Sequence, residues 1–223
     1  MKHILGIGMQ SGGTTIISGM WFKRDDTDGT LDVYGNYKGS YTPFQEETTL
    51  CPKNIKIFHQ KLTMLGGKED YNINQFIDAL KLRGNKDIKW YLIMRNPFHS
   101  IRSLKAKWYG GDWEKKLENF ADHYKKAKET GVPIIKYEDF LKLPVFEMSK
   151  LQRQLGITPD HSSPLKVIGK KTYMTNVGNA TYCNNPSEIK KKISFSEELN
   201  DSEIDKIENI CKEIIEGFNY SHS

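Results

Sequence analysis

A three-layer α/β/α domain around a central parallel sheet is the fold this sequence predicts, and three features predict it. Short apolar segments alternate with amphipathic helical ones along the chain, the pattern of strands joined by crossover helices. The strongest of these segments, Lys89 to Met94, is apolar almost throughout, as expected of a strand covered on both faces. A glycine-rich loop joins the first strand to the first helix, at the carboxyl edge where open α/β sheets bind ligands. At 223 residues the chain has the length of one domain, residues 1–223, long enough to bury a core without disulfide staples.

The elements follow in order. Ile4-Leu5-Gly6-Ile7 reads as a short buried strand, the loop Gly8 to Gly13 follows, and a helix runs to about Phe22. Residues Lys23 to Glu47 are polar, glycine-rich and dotted with aromatics, and read as a long excursion outside the core. Ile55 to Phe58 alternates as a strand does, and Asn74 to Leu82 is an amphipathic helix stopped by Gly84. After the strand Lys89 to Met94, Pro97 opens a helix to about Tyr109. Trp113 to Thr130 is a helix ended by Gly131, and Val132 to Lys136 a strand leading into helical segments through Leu155. Beyond Gly156 lies a basic, loop-rich stretch. Asp201 to Gly217 forms a last helix with Ile204, Ile207, Ile210, Ile214 and Ile215 on its apolar side.

Composition narrows the function. Thirty-three basic against 28 acidic residues give a net charge of +5, compatible with an anionic ligand and too small to argue for nucleic acid. No apolar run approaches the roughly 20 residues of a membrane span, and the run Ile4 to Met9 is too short and too glycine-broken for a signal peptide. Cys51, Cys183 and Cys211 are odd in number and scattered, which argues against disulfides and against a zinc site. A soluble protein of the reducing cytoplasm, binding no membrane and no metal, is the expectation.

Gly8-Met9-Gln10-Ser11-Gly12-Gly13-Thr14-Thr15 has the spacing of the phosphate loop GxxxxGK[ST], with Thr14 in the lysine position. The glycines let successive N–H groups turn inward at a helix start, and Ser11, Thr14 and Thr15 add hydroxyls. This favours a phosphate-like group over Mg-nucleotide hydrolysis, which needs the missing lysine. A ligand-free strand-to-helix turn is the bland alternative. A second anion site follows the strongest strand: Arg95 emerges at the same sheet edge, and Ser103 lies about two helical turns further on. A guanidinium fork takes a phosphate bidentately and a hydroxyl completes the site. The bland alternative there is a helix cap with a surface ion pair.

With these residues in hand, the chain resembles the sulfotransferases that use 3′-phosphoadenosine 5′-phosphosulfate (PAPS). Gly13-Thr14-Thr15 is similar to the family's [KR]-x-G-T-[TS] loop, and Arg95-Asn96-Pro97 with Ser103 matches its R-[ND]-P-x(5)-S segment. Tyr137-Glu138-Asp139-Phe140, the segment Leu151 to Ile157 and the ending Gly217-Phe218-Asn219-Tyr220 resemble further family marks in family order. The resemblance implies a P-loop NTPase-like fold and a metal-free transfer from PAPS, with 3′-phosphoadenosine 5′-phosphate (PAP) as product. It implies that Ser11, Gly12, Gly13, Thr14 and Thr15 hold the 5′-phosphosulfate, that Arg95 and Ser103 hold the 3′-phosphate, and that Tyr137 approaches the adenine. Lys170 and Lys171 fall near the family's late basic loop, with Lys166 and Lys190 to Lys192 as competitors. The family's loop cation falls on Ser11 and Gln10 is not basic either, so another cation (Lys23, Arg24 or Lys61), the backbone amides, or weak catalysis must account for its absence.

Transfer also requires a base for the acceptor. His59, at the end of the strand Ile55 to Phe58, resembles the family's catalytic histidine in position, and an ordinary imidazole titrates in the right range; a structural strand-end histidine is the alternative. Glu46 and Glu47 are the second choice of base. Tyr34, Tyr37, Tyr41, Phe44, Trp108, Tyr109 and Trp113 supply aromatics for an acceptor pocket, which suits a small-molecule or carbohydrate hydroxyl or amine. Two other readings stand beside this one, a P-loop kinase of small molecules or nucleotides and a PAP-binding module without catalysis.

Overall fold

The computed structural model describes residues 1–33, 56–64, 73–82, 84–106, 112–161 and 198–222. Five strands form one all-parallel sheet: β1 (Lys2–Met9), β2 (Thr27–Val33), β3 (Ile57–Met64), β4 (Asp87–Met94) and β5 (Ile134–Lys136), in the spatial order β2-β3-β1-β4-β5. The helices are α1 (Thr14–Gly19), α2 (Ile73–Leu82), α3 (Pro97–Lys105), α4 (Trp113–Thr130), α5 (Tyr137–Lys142), α6 (Pro144–Gln154), α7 (Asp201–Ile210) and α8 (Lys212–Phe218), with a 3₁₀ turn Met20–Lys23 after α1.

Side chains of β1 alternate between two cores, as the period of two requires. Leu5, Ile7 and Met9 pack with apolar residues of α2, α3, α4, α7 and α8. Ile4 joins Ile16, Ile17, Trp21, Phe140, Met148 and Leu151 of the other helical layer. The expected three-layer α/β/α fold with a parallel sheet is therefore the one observed. Among the described residues, no helix is long and apolar enough to cross a membrane.

Several elements match their sequence signals. α4 has the expected bounds, and Gly131 caps it in the left-handed conformation (φ 66°). Others need correction. The stretch after Lys23 contains β2, a strand paired with β3, where its polar sequence suggested an excursion. β3 runs on to Met64, so His59 lies within it rather than at its end. The last helix is two, α7 and α8, with Cys211 between them in a non-helical conformation (φ −103°, ψ 19°).

Topology decides where a ligand can enter. From β1 the chain moves outward to β2 and β3 on one side, then crosses back to β4 and β5 on the other. The connections after β1 and β4 thus leave in opposite directions, and a crevice opens between the carboxyl ends of these two neighbours.

Candidate functional site

The segment after β1 fills one wall of that crevice. Gly12 N–H turns back to the Met9 carbonyl (2.9 Å), and Ser11 and Gly13 both adopt left-handed conformations (φ 64° and 81°). A serine there is uncommon for an L-residue, and such backbone concentrates at functional sites. Thr14 follows, 5% exposed, and begins α1. Thr15 lies in the same helix.

Arg95 emerges from β4 into the other wall and crosses to the loop. Its Nη1 donates to the Ser11 carbonyl at 2.5 Å, and its guanidinium lies 4.9 Å above the ring of Tyr137. Tyr137 opens α5 after β5, and its ring sits against the loop so closely that a Cβ at Gly13 would meet Tyr137 Cδ2 at 2.2 Å. Loop, Arg95 and Tyr137 are one packed unit. Four of the sequence-predicted positions, Ser11, Gly13, Arg95 and Tyr137, are brought into direct contact.

The residue beside Arg95 ties the unit to the rest of the fold. Asn96 Oδ1 caps α3 by accepting from Phe98 N–H (2.9 Å), as an N-cap asparagine does, while its Nδ2 donates to the Ser221 carbonyl (2.8 Å). Glu138 accepts from Asn96 N–H (2.9 Å) and from the Tyr220 hydroxyl (3.0 Å). Burial, followed by the neighbouring Glu138 carboxylate, raises the Tyr220 pKa, so the hydroxyl keeps its proton and remains the donor. Ser103 stands half-buried on α3, on the stripe that Asn96 and His99 begin.

Lys116 is the participant that sequence reasoning missed. It sits in the first turns of α4, 5% exposed, and its Nζ donates to Gln10 Oε1, in the loop, at 3.2 Å. Burial lowers its pKa, and Asp112 one turn earlier opposes that shift. Nothing local in Glu114-Lys115-Lys116 separates it from a solvated helix charge, and only the packing of α4 against the sheet brings it to the loop.

His59 is placed elsewhere. In register it pairs with Ile4 of β1, whereas the strand end is the level of Met9 and Met64. Those five positions (59 to 64) put it roughly 16 Å below the carboxyl edge. It is fully buried, stacked on Trp21 (5.4 Å between centroids, 18°), and its Nε2 shares a 3.0 Å hydrogen bond with Tyr91 Oη, which also accepts from Trp21 Nε1 at 3.0 Å. Burial above all, then the charges of His3 and Lys61, holds its pKa well below 6.5. The expected strand-end base is corrected to a neutral imidazole inside the α1 layer.

Of the cations suggested for the loop, Arg24 is committed to Asp26 (2.9 and 3.0 Å) and to the Thr158 carbonyl (2.6 Å). Lys61 is level with Gly6, short of the strand end. Glu46, Glu47, Lys170 and Lys171 lie outside the described residues, as do Cys51, Cys183 and all the pocket aromatics named above except Trp113. Among the described residues, no group of three or more His, Cys, Asp or Glu could hold a metal ion. Cys211 is free and buried, its thiol pushed up to about 12 by burial.

Fold and crevice define an α/β/α protein with a glycine-rich loop at its topological switch point. No protein-family model and no curated sequence matches the chain. Among solved structures it is similar to the sulfotransferase domain of the olefin synthase from Synechococcus PCC 7002. The TM-score is 0.52 at 13% identity, over 99% of this chain and 97% of that one, a likeness of fold alone.

Proposed function

We propose that the chain is a PAPS-dependent sulfotransferase acting on a hydroxyl or amine of a small-molecule or carbohydrate acceptor. The observation that carries this reading is the bridge from Arg95 to the Ser11 carbonyl and the Tyr137 ring. It joins a lysine-less phosphate loop and a post-strand arginine in one crevice, as a nucleotide with two separated anionic groups requires. The fold likeness supports the same reading.

The residues fit such a donor. Left-handed backbone at Ser11 and Gly13 can turn N–H groups of the loop towards an anion, and Ser11, Gly12, Gly13, Thr14 and Thr15 receive the 5′-phosphosulfate. Arg95, braced by Ser11 and Tyr137, takes the 3′-phosphate together with Ser103. Tyr137 borders the adenine, and Lys170 and Lys171 are the further cations this reading assigns to the 3′-phosphate. PAPS supplies an activated sulfuryl group when bound. The acceptor oxygen or nitrogen bonds to sulfur as the bond from sulfur to the bridging phosphate oxygen breaks, PAP departs, and the acceptor proton passes to a base. His59, buried behind Trp21 and Tyr91, does not serve; Glu46 and Glu47 are the bases this reading retains. A PAP-binding module without catalysis is the second reading, favoured by Ser11 standing where the family has a cation.

Calorimetry with PAP, and with ADP as control, tests the proposal. PAP is expected to bind more tightly than ADP, with Arg95→Ala weakening PAP about 10- to 100-fold and abolishing the preference. Equal affinities for the two nucleotides would sink it. PAP binding without sulfate transfer to any acceptor would select the second reading.

A further inference from the structure

We infer that Lys116, reaching across from α4, is the cation of the phosphate loop and contacts the anion bound there. This rests on the sulfotransferase reading of the site and extends it to a residue outside the loop. The loop segment from Gly8 to Thr15 carries no basic side chain, yet two cations approach it from other elements. Arg95 reaches Ser11 from β4, and Lys116 reaches Gln10 from α4.

Three properties suit Lys116 to this work. Its position is built in, because α4 carries Leu117 and Phe120 into the core beside β1, fixing the turn from which Lys116 projects. The residue is 5% exposed, so water screens its charge less than that of a surface lysine and its field on a nearby anion is stronger. One of its donors bonds Gln10 Oε1, a neutral acceptor that can be exchanged for an anionic oxygen. The lowered pKa fits a desolvated ammonium whose charged form an arriving phosphosulfate would stabilise.

The chemical role follows from where charge develops. As the sulfur–oxygen bond breaks, the electron pair stays on the bridging oxygen, which leaves as part of the PAP phosphate. The Lys116 ammonium donates a hydrogen bond to that phosphate group and keeps its own proton. Stabilisation that grows with the developing charge lowers the barrier.

The test compares wild type, Lys116→Met, Lys116→Arg and, for a solvated α4 lysine, Lys125→Met. Affinities are measured for PAP, for adenosine 3′-phosphate, which lacks the 5′ group, and for inorganic pyrophosphate. Lys116→Met is expected to weaken PAP and pyrophosphate about 10- to 100-fold and adenosine 3′-phosphate less than about twofold, with turnover of PAPS falling at least as far as PAP affinity. Lys116→Arg should recover most of the loss, and Lys125→Met should match wild type. Lys116→Gln carries the same comparison should the methionine variant fail to fold. Unchanged PAP affinity in Lys116→Met overturns the inference, and so does an equal loss for all three ligands, which would mark a merely structural lysine. Wild type that shows no preference for PAP over ADP, yet binds pyrophosphate in a Lys116-dependent way, would sink the sulfotransferase reading and leave Lys116 as the loop cation. Binding of neither PAP nor pyrophosphate would sink both.

Discussion

Two groups of chemistry-bearing side chains lie along the central strands, one at the carboxyl edge and one halfway down. At the edge, Arg95, Lys116 and Tyr137 converge on the loop after β1; halfway down, His59, Trp21 and Tyr91 form a stack behind α1. Exposure does not separate them, since Arg95 at 6% is almost as buried as His59 at 0%. Depth along the strand and the nature of the partners do. Edge residues bond to loop backbone and loop side chains beside the crevice, where a ligand can compete for the same groups. The deeper rings stack on one another and share hydrogen bonds at Tyr91 Oη, away from the crevice. An imidazole is a base only where an acceptor can reach it.

The largest expected effect tests how tightly the edge is packed. Gly13→Ala would place a Cβ 2.2 Å from the Tyr137 ring and force an L-residue to φ 81°. Left-handed strain of about 1–2 kcal/mol and overpacking of about 1–3 kcal/mol add to about 2–5 kcal/mol in denaturant titration, with loss of PAP binding. Adding Tyr137→Ala should return the packing part of that cost and leave the backbone part. Strict additivity of the two substitutions would show that loop and ring are not in contact.

The deeper cluster should respond in stability and not in binding. His59→Ala removes a stacked ring from the core and is expected to cost about 2–4 kcal/mol while PAP affinity stays within about twofold. A hundredfold fall in turnover with unchanged stability would return His59 to catalysis. The pH dependence has a definite sign. The folded pKa of His59 lies below 6.5, so the unfolded chain binds the proton more readily. This contribution to stability is complete above pH 6.5 and is lost as pH falls from 6.5 towards the folded value, with a slope of up to about 1.4 kcal/mol per pH unit. His59→Phe should remove one proton's share of that slope, which stability curves between pH 7 and pH 5 would measure.

The same contrast explains what was legible in the sequence. β1, β4 and α4 announce themselves because apolar runs and helical periodicity reflect burial, and Gly131 marks its own turn. Arg95 was readable as an edge residue because it directly follows an unmistakable strand. β2 was hidden: Thr27-Asp28-Gly29-Thr30-Leu31-Asp32-Val33 is polar, although Thr27 and Asp28 of this edge strand are buried. Its glycine serves a close approach, since a Cβ at Gly29 would fall 1.7 Å from the His59 carbonyl oxygen. With β2 unseen, β3 lost a partner, its carboxyl half was cut off, and His59 seemed to sit at an end. Lys116 was hidden for another reason. It reaches Gln10 across 106 positions of sequence, and local pattern carries no information about that distance.

The smallest effect concerns how the edge is anchored. Asn96 caps α3 through its carbonyl oxygen and holds the Ser221 carbonyl through its amide, so Asn96→Ala removes a cap worth about 1 kcal/mol together with one tie to the C-terminal segment. Asn96→Asp separates the two: the carboxylate still caps the helix, and by its charge does so favourably, but it cannot donate to Ser221. If the tie to Ser221 merely fastens the chain end, Asn96→Asp should lose some stability, as an oxygen replaces the donor facing the Ser221 carbonyl, and should match wild type in PAP affinity, because Tyr220 still holds Glu138. If it keeps Arg95 aligned on the loop, Asn96→Asp should lose the same stability and also bind PAP a few-fold more weakly. The second outcome is the one expected, because Asn96 directly follows Arg95, and the guanidinium is pinned against the Ser11 carbonyl and the Tyr137 ring, which leaves its side chain little freedom to absorb a backbone shift.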